Sequence, residues 1–429
     1  MAGEADEADK VVLLPESVTK RAPELYWQLA ALCAAVAIVI LRQPDSIFHA
    51  QFLEEDGQVF FADAYNRGWL VSLFRTYGYY CTLQRLAAAL ALLVPLPLAP
   101  LVMNLVGLFV QALPGPLLLS RRFSKWGTLE FRAALALAYL AMPNCAEISV
   151  TVNAAQSHLA LVACLLMLAE TPPNRLWRWC DTTVFVLFGL TAPYCILLLP
   201  IACAMLYLRR EGARWRPVFI CAGGSMVQLS ALLLTDAVHT RSGPLGASIG
   251  ALSRIVAGHI YLGTLIGHNG LALQLRPLTL AWIAVAGTAL LIWWLCRAGV
   301  EMRLFAVFTL LVLAASLAKP ATGHIPGGLT AWRLMAGAPG IRYWFFPTLA
   351  CTWMLVSFLG GPERTQLTEL VGFLLLFCML FGFIRDWRHR AYPDPHLAYY
   401  AQQLKAAKPG EIIVIPENPP GWELRLVKR

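Results

Sequence analysis

Charge is what this chain has least of. Only 14% of its 429 residues are Lys, Arg, Asp or Glu, against 58% apolar, and the mean hydropathy is +0.61. A soluble domain carries about 25% charged and roughly 45–50% apolar residues. The shortage deepens away from the ends: 9 charged residues fall in Met1–Glu24 and 13 in Arg385–Arg429, leaving 37 for the 360 residues between. Such a chain cannot cover a water-facing globule with polar surface. A soluble multi-domain enzyme, a disordered protein and a secreted disulfide scaffold are excluded.

Metal-type cysteine spacing is also missing. The 11 cysteines form no Cys-x-x-Cys pair, and most lie in apolar runs, where Cys serves as a small hydrophobe. A cleaved leader is not expected, because the opening is acidic (Glu4, Asp6, Glu7, Asp9) and the first apolar run starts only near Leu25. The net charge of +9 is not gathered as for a nucleic acid. Its placement follows membrane topology instead.

What is present is a series of apolar runs. About 20 apolar residues span the hydrocarbon core. Spans are expected at Leu25–Leu41, Ala99–Leu119, Phe131–Val150, Ala155–Leu168, Pro217–Leu234, Leu278–Cys296, Leu304–Leu317, Tyr343–Leu359 and Leu367–Ile384. Two shorter pieces, Thr182–Leu190 and Tyr194–Leu208, flank Pro193 and predict a hairpin; Leu86–Val94 is too short to span. The expected fold is an all-α polytopic membrane protein with about eleven transmembrane helices, long outer loops and a small α/β tail.

Orientation is read from Lys and Arg in short loops. With Met1–Glu24 (1–24) in the cytoplasm, the short cytoplasmic loops carry Arg121, Arg122, Lys125 and Arg132; Arg175 and Arg178; Arg209, Arg210, Arg214 and Arg216; Arg297 and Arg303; and Arg364. The membrane domain is 25–384, and its outer loops are 42–85, 235–276 and 318–342. The C-terminal unit, 385–429, then lies outside as well. Asp394–Lys405 reads as a short helix, and Glu411–Ile415 and Trp422–Leu426 read as strands joined by a Pro-Pro-Gly turn. At this size it cannot stand alone, and it is expected to pack on the outer loops as a lid.

The outer segments hold the residues suited to chemistry. Glu54-Glu55-Asp56 puts three carboxylates in a row beside Leu53, Val59, Phe60 and Phe61. Held against a membrane surface, such carboxylates are desolvated and become stronger bases; the alternative is an acidic first helical turn favoured by the macrodipole. Arg75, Tyr77, Tyr79, Tyr80 and Arg85 follow. Arginine there either grips a phosphate with its planar fork or snorkels to headgroups. A second cluster runs Lys319-Pro320-Ala321-Thr322-Gly323-His324, and a third, Arg342-Tyr343-Trp344-Phe345-Phe346-Pro347, sits where a span re-enters the membrane. Asn153–His158 reads as a pocket wall or a wet turn. His259 and His268 are weaker candidates.

A first span, a long outer loop opening on Glu54-Glu55-Asp56, many further spans and a soluble C-terminal piece together resemble the GT-C class of membrane glycosyltransferases. Arg342–Pro347 is similar to an Arg-Tyr-x-x-x-Pro element of bacterial GT-C-like proteins. The resemblance implies a polyprenyl-phosphate sugar donor, a glycan or lipid acceptor, and a bacterial inner membrane with the C-terminus periplasmic. It also implies that Glu55 or Asp56, with Glu54 beside them, deprotonates the acceptor. Arg85 and Arg342 would hold the lipid phosphate, with Tyr343, Arg75, Tyr79 and His324 as further binding residues. Glu54 and Asp56 are acceptable hard ligands for a divalent cation, Mg or Mn, although a lipid-monophosphate leaving group does not require one. Two other readings stay open: a transporter or flippase of lipid-linked glycan, and a non-catalytic factor in envelope polysaccharide assembly. Ionisable residues near mid-membrane favour transport, and the apolar spans here hold almost none.

Overall fold

The structure is a computed structural model that describes residues 21–172, 174–235, 244–267, 274–320, 328–337, 341–361 and 365–429. In chain order the principal helices begin with α1 (Arg21–Arg42), α2 (Ala62–Arg67), α3 (Thr82–Ala91), α4 (Leu96–Leu119) and α5 (Leu129–Ala141). They continue with α6 (Ala155–Leu168), α7 (Arg175–Gly189), α8 (Tyr194–Arg209), α9 (Trp215–Leu234) and α10 (Ile249–Ile266). The last are α11 (Pro277–Arg297), α12 (Val300–Ala318), α13 (Ile341–Gly360), α14 (Gln366–Arg385) and α15 (Leu397–Ala406), before strands β1 (Ile412–Glu417) and β2 (Trp422–Val427).

Eight of these helices, α1, α4 and α9–α14, are long and apolar enough to cross a membrane, as a multi-pass membrane protein requires. Their outward faces are apolar: Phe373, Phe377 and Phe381 of α14 and Trp282 and Val285 of α11 are all exposed. In water such faces would be a liability.

The eight differ from the expected eleven for local reasons. The run Phe131–Val150 does not form one helix. Met142 precedes Pro143 and takes an extended ψ of 128°, as pre-proline residues prefer, so α5 stops at Ala141. Conversely, α10 lies within the expected outer loop 235–276 and is long enough to span. The short pieces around Pro193 are α7 and α8, and both pack on α9. Gly189 of α7 meets Gly224 of α9 backbone to backbone; a Cβ on Gly224 would sit 2.8 Å from the Gly189 Cα. Small residues permit that approach.

At the centre lies α6. Every residue of it except Gln156 is buried, which explains why it is apolar on all sides. It packs on α4, α7, α8 and α12. The early end of α5 leaves unpaired carbonyls, and a buried arginine takes them up. Arg42, at the end of α1, donates to the Leu140 carbonyl at 2.6 Å, to Met142 at 2.9 Å and to Asp386 at 3.3 Å. One guanidinium thus ties the ends of α1, α5 and α14.

The C-terminal unit is helix α15 with an antiparallel hairpin, in which Ile415 pairs Leu424 and Ile413 pairs Leu426. A lone hairpin is marginal in water. This one buries Ile415, Leu424 and Leu426 in one cluster with Phe52, Phe60, Phe61, Leu397 and Leu404. Asn66 of α2 fixes its edge, donating to the Arg425 carbonyl at 2.8 Å and accepting from the Val427 N–H at 2.9 Å.

Candidate functional site

The acidic segment is built between two supports. On one side is the turn after β1: the Glu54 N–H donates to the Asn418 carbonyl at 2.7 Å, and Leu53 and Asn418 form a parallel bridge. Glu54 takes a φ of 50°, the left-handed region that costs a side-chain-bearing residue about 1 kcal/mol or more. On the other side is the loop before α6. Asp56, 1% exposed, accepts the Asn153 N–H at 2.9 Å and the Val152 N–H at 3.2 Å. The Asn153 side chain in turn donates to Glu55 at 2.8 Å.

Four carboxyl groups therefore crowd together, the fourth being Glu417 of β1, whose Oε1 accepts the Gln58 N–H at 3.0 Å. Their electrostatics follow from burial and mutual repulsion. Burial, with Glu55 next, pushes Asp56 well above the usual carboxylate range despite its two N–H donors. Glu54 is raised to about 7, by burial first and then by Glu55, with Arg342 opposing. Burial lifts Glu417 to about 8, and the neighbouring Asp56 and Glu55 add to it.

Glu54 and Glu55 open onto a cavity of about 640 Å³. Arg342 and Lys319 face the same space, as do Glu147, Tyr77, Tyr79, Tyr194 and Tyr343. Arg342 pairs with Glu147 at 3.7 Å and lies 5.4 Å from the Tyr343 ring centre. Tyr79 donates to Gln156 at 3.3 Å, and burial holds its phenol well above the usual range. Another part of the wall is apolar, with Ile196 and Leu197 of α8, Leu232 of α9 and Val312 of α12.

Of the residues singled out in the sequence, Glu54, Glu55, Tyr77, Tyr79, Asn153, Gln156, Ser157, Lys319, Arg342 and Tyr343 line this cavity, and Asp56, Arg75, Tyr80 and Arg85 do not. His324 and His268 lie outside the described residues. Arg85, 1% exposed, donates to Asp63 at 3.2 Å and to Ser72 at 2.9 Å and sits over the Phe60 ring. Arg75 and Arg67 share the same Asp63. These arginines knit the segment behind the cavity. The tail likewise buttresses: among the described residues none beyond Tyr343 lines the cavity, and the tail meets the acidic segment through Asn418 and Glu417 instead.

Sequence reasoning passed over Asp63, Glu147 and Glu417. Glu147 carried a signal, as a lone carboxylate inside an apolar run taken for a span. Glu417 carried none, because its burial comes from packing 359 positions away from Gln58.

The acidic triplet does not suit a divalent cation. Both Asp56 oxygens already accept backbone N–H groups, and among the described residues no three His, Cys, Asp or Glu side chains are placed to hold one ion between them. Compared with models of known families, with curated proteins and with solved structures, the chain finds no match.

Proposed function

We propose that this chain is a membrane glycosyltransferase of the GT-C type, moving a sugar from a polyprenyl-phosphate donor to a glycan or lipid acceptor. The reading rests chiefly on one observation: Glu54 and Glu55 share a cavity with Arg342 and Lys319, and part of the wall of that cavity is apolar and made by α8, α9 and α12. The isoprenoid tail lies along Ile196, Leu197, Leu232 and Val312. Its phosphate meets Arg342 and Lys319, and the tyrosines flank the sugar. Glu54, titrating near neutrality, takes the proton from the acceptor hydroxyl. The freed oxygen attacks the anomeric carbon, the bond from that carbon to the phosphate oxygen breaks, and the two cations balance the charge on the departing polyprenyl phosphate. Glu55, positioned by Asn153, accepts a hydrogen bond from the acceptor. Asp56 and Arg85 hold the frame. In this reading the cavity faces the periplasm of a bacterial inner membrane, with the N-terminus cytoplasmic.

The test is transfer of a labelled polyprenyl-phosphate sugar by the purified chain in nanodiscs. The wild-type rate is expected to rise with pH through about 7 as Glu54 ionises. Glu54→Gln should remove that limb and lower the rate about 10²-fold or more. Wild-type rates in both Glu54→Gln and Glu55→Gln would sink the assignment. Lipid-linked glycan crossing vesicles without any transfer would establish the transport reading instead.

A further inference from the structure

A second cavity, of about 270 Å³, lies at the other end of the helices that frame the first. Gln156 and Leu232 line the carboxylate cavity, whereas Met167 on α6 and Arg216 on α9 line this one. At 1.5 Å per residue the two sites are roughly 20 Å apart along the helix axes. Four arginines from three separate stretches of the chain line the second cavity: Arg122, Arg178, Arg214 and Arg216.

Two of the four are already matched. Arg122 forms a two-pronged pair with Asp181 at 3.0 and 2.7 Å. Arg214 pairs with Glu211 at 3.0 Å and donates to the Met167 and Ala169 carbonyls. The other two have no carboxylate: among the described residues neither Arg178 nor Arg216 forms an ion pair, and the Arg178 Nε reaches only the Asn174 carbonyl at 3.3 Å. Arg178 stands in the first turn of α7 and Arg216 in the first turn of α9. Neither turn contains an acidic residue, so the positive ends of both helix dipoles add to the two uncompensated charges. All four line one concavity, Arg214 buried, Arg178 half-buried and Arg216 exposed.

We propose that this pocket binds a phosphate group at the membrane boundary opposite the carboxylate cavity, clasped between the guanidinium forks of Arg178 and Arg216. An excess of two positive charges suits a phosphate ester, and two planar forks suit its tetrahedral oxygens. Basic pockets between membrane helices take anionic headgroups in this way. The proposal is independent of the glycosyl-transfer reading.

Native mass spectrometry of the full chain in neutral detergent tests it, with dioleoyl phosphatidic acid and dioleoyl phosphatidylcholine as probes. The wild type should retain phosphatidic acid over phosphatidylcholine, and the double variant Arg178→Gln/Arg216→Gln should bind it about tenfold more weakly. Arg178→Lys/Arg216→Lys should recover part of the binding and controls for folding. Arg175→Gln removes a charge from the same helix turn outside the pocket and should change nothing. Adding inorganic phosphate separates the sources: displacement of the lipid at millimolar phosphate assigns a soluble phosphate, and persistence assigns a headgroup. Equal binding by the wild type and the double glutamine variant, or an equal loss in Arg175→Gln, overturns the pocket.

Discussion

The backbone N–H of Gln58 donates to the side chain of Glu417 at 3.0 Å across 359 positions of sequence. The second oxygen of Glu417 is buried without a hydrogen-bond partner among the described residues, directly against Gly57, where a Cβ would clash with it. The C-terminal hairpin is therefore pinned to the acidic segment through a carboxyl that favours its neutral form.

Docking of the tail should weaken as pH rises. Glu417 is raised from 4.5 to about 8 in the folded chain. A raised carboxyl pKa contributes stability that is fully present below the unfolded value of 4.5 and is lost as pH climbs through about 8. Hydrogen exchange at Ile412–Val427 should accelerate over that window. Glu417→Gln keeps the acceptor for Gln58 and should flatten the response; an unchanged pH dependence in that variant would discard the idea.

Asp56 should be a positioning residue whose loss is felt at Glu55. Asp56→Asn keeps one acceptor but turns an NH2 group toward a backbone N–H. It should destabilise the chain by about 1–3 kcal/mol, and it should loosen Asn153 and so the Glu55 carboxylate it holds. Thermal unfolding in detergent and transfer by the folded fraction measure the two effects. A fully stable variant would contradict the double N–H cradle.

Arg342 and Arg85 should behave oppositely. Arg342→Gln should leave the melting temperature near wild type and raise the apparent KM for the donor. Arg85→Gln should remove the buried guanidinium from half-buried Asp63, which keeps Arg67 and Arg75, and from Ser72, costing about 1–3 kcal/mol, with KM unchanged in whatever protein folds. Steady-state kinetics beside a melting curve separate them, and a KM effect confined to Arg85→Gln would reverse the two roles.

Packing inside the membrane domain has its own test at Gly224→Ala. The added methyl would meet the Gly189 backbone at 2.8 Å, a contact that cannot rotate away. Overpacking of this kind costs about 1–3 kcal/mol, so the melting temperature should drop, while Gly223→Ala, with open space around its Cβ, should be neutral. Equal melting of the two variants would refute the close crossing.

Much of the fold was legible because hydropathy is a local property. A run such as Gln366–Arg385 is apolar on all faces whatever it packs against, and the breaker at Pro193 acts on its immediate neighbours, whereas the break at Pro143 fell inside an expected span. The helix count was less legible. A 14-residue helix such as α6 reads like a short span, yet it is the buried centre of the bundle, and only its neighbours reveal that. The β-branched run of β1 and the Pro-Pro-Gly turn before β2 announced a hairpin, and its seat on Phe52, Phe60 and Phe61 was silent.

The site divides in the same way. Scarcity of charge drew attention to Glu54-Glu55-Asp56 and to Arg342 from composition alone. Tertiary structure decided which of these open on a cavity and which are spent on the frame. Asp56 and Arg85 carry the same formal charges as Glu55 and Arg342, yet Asp56 is consumed by two backbone N–H groups and Arg85 by Asp63 and Ser72. The sequence by itself determined that this is a membrane chain with rare charges worth following. The partners of each charge were decided by the three-dimensional packing, because the free energy of a buried ion depends on the groups within a few ångströms of it and those groups come from distant parts of the chain.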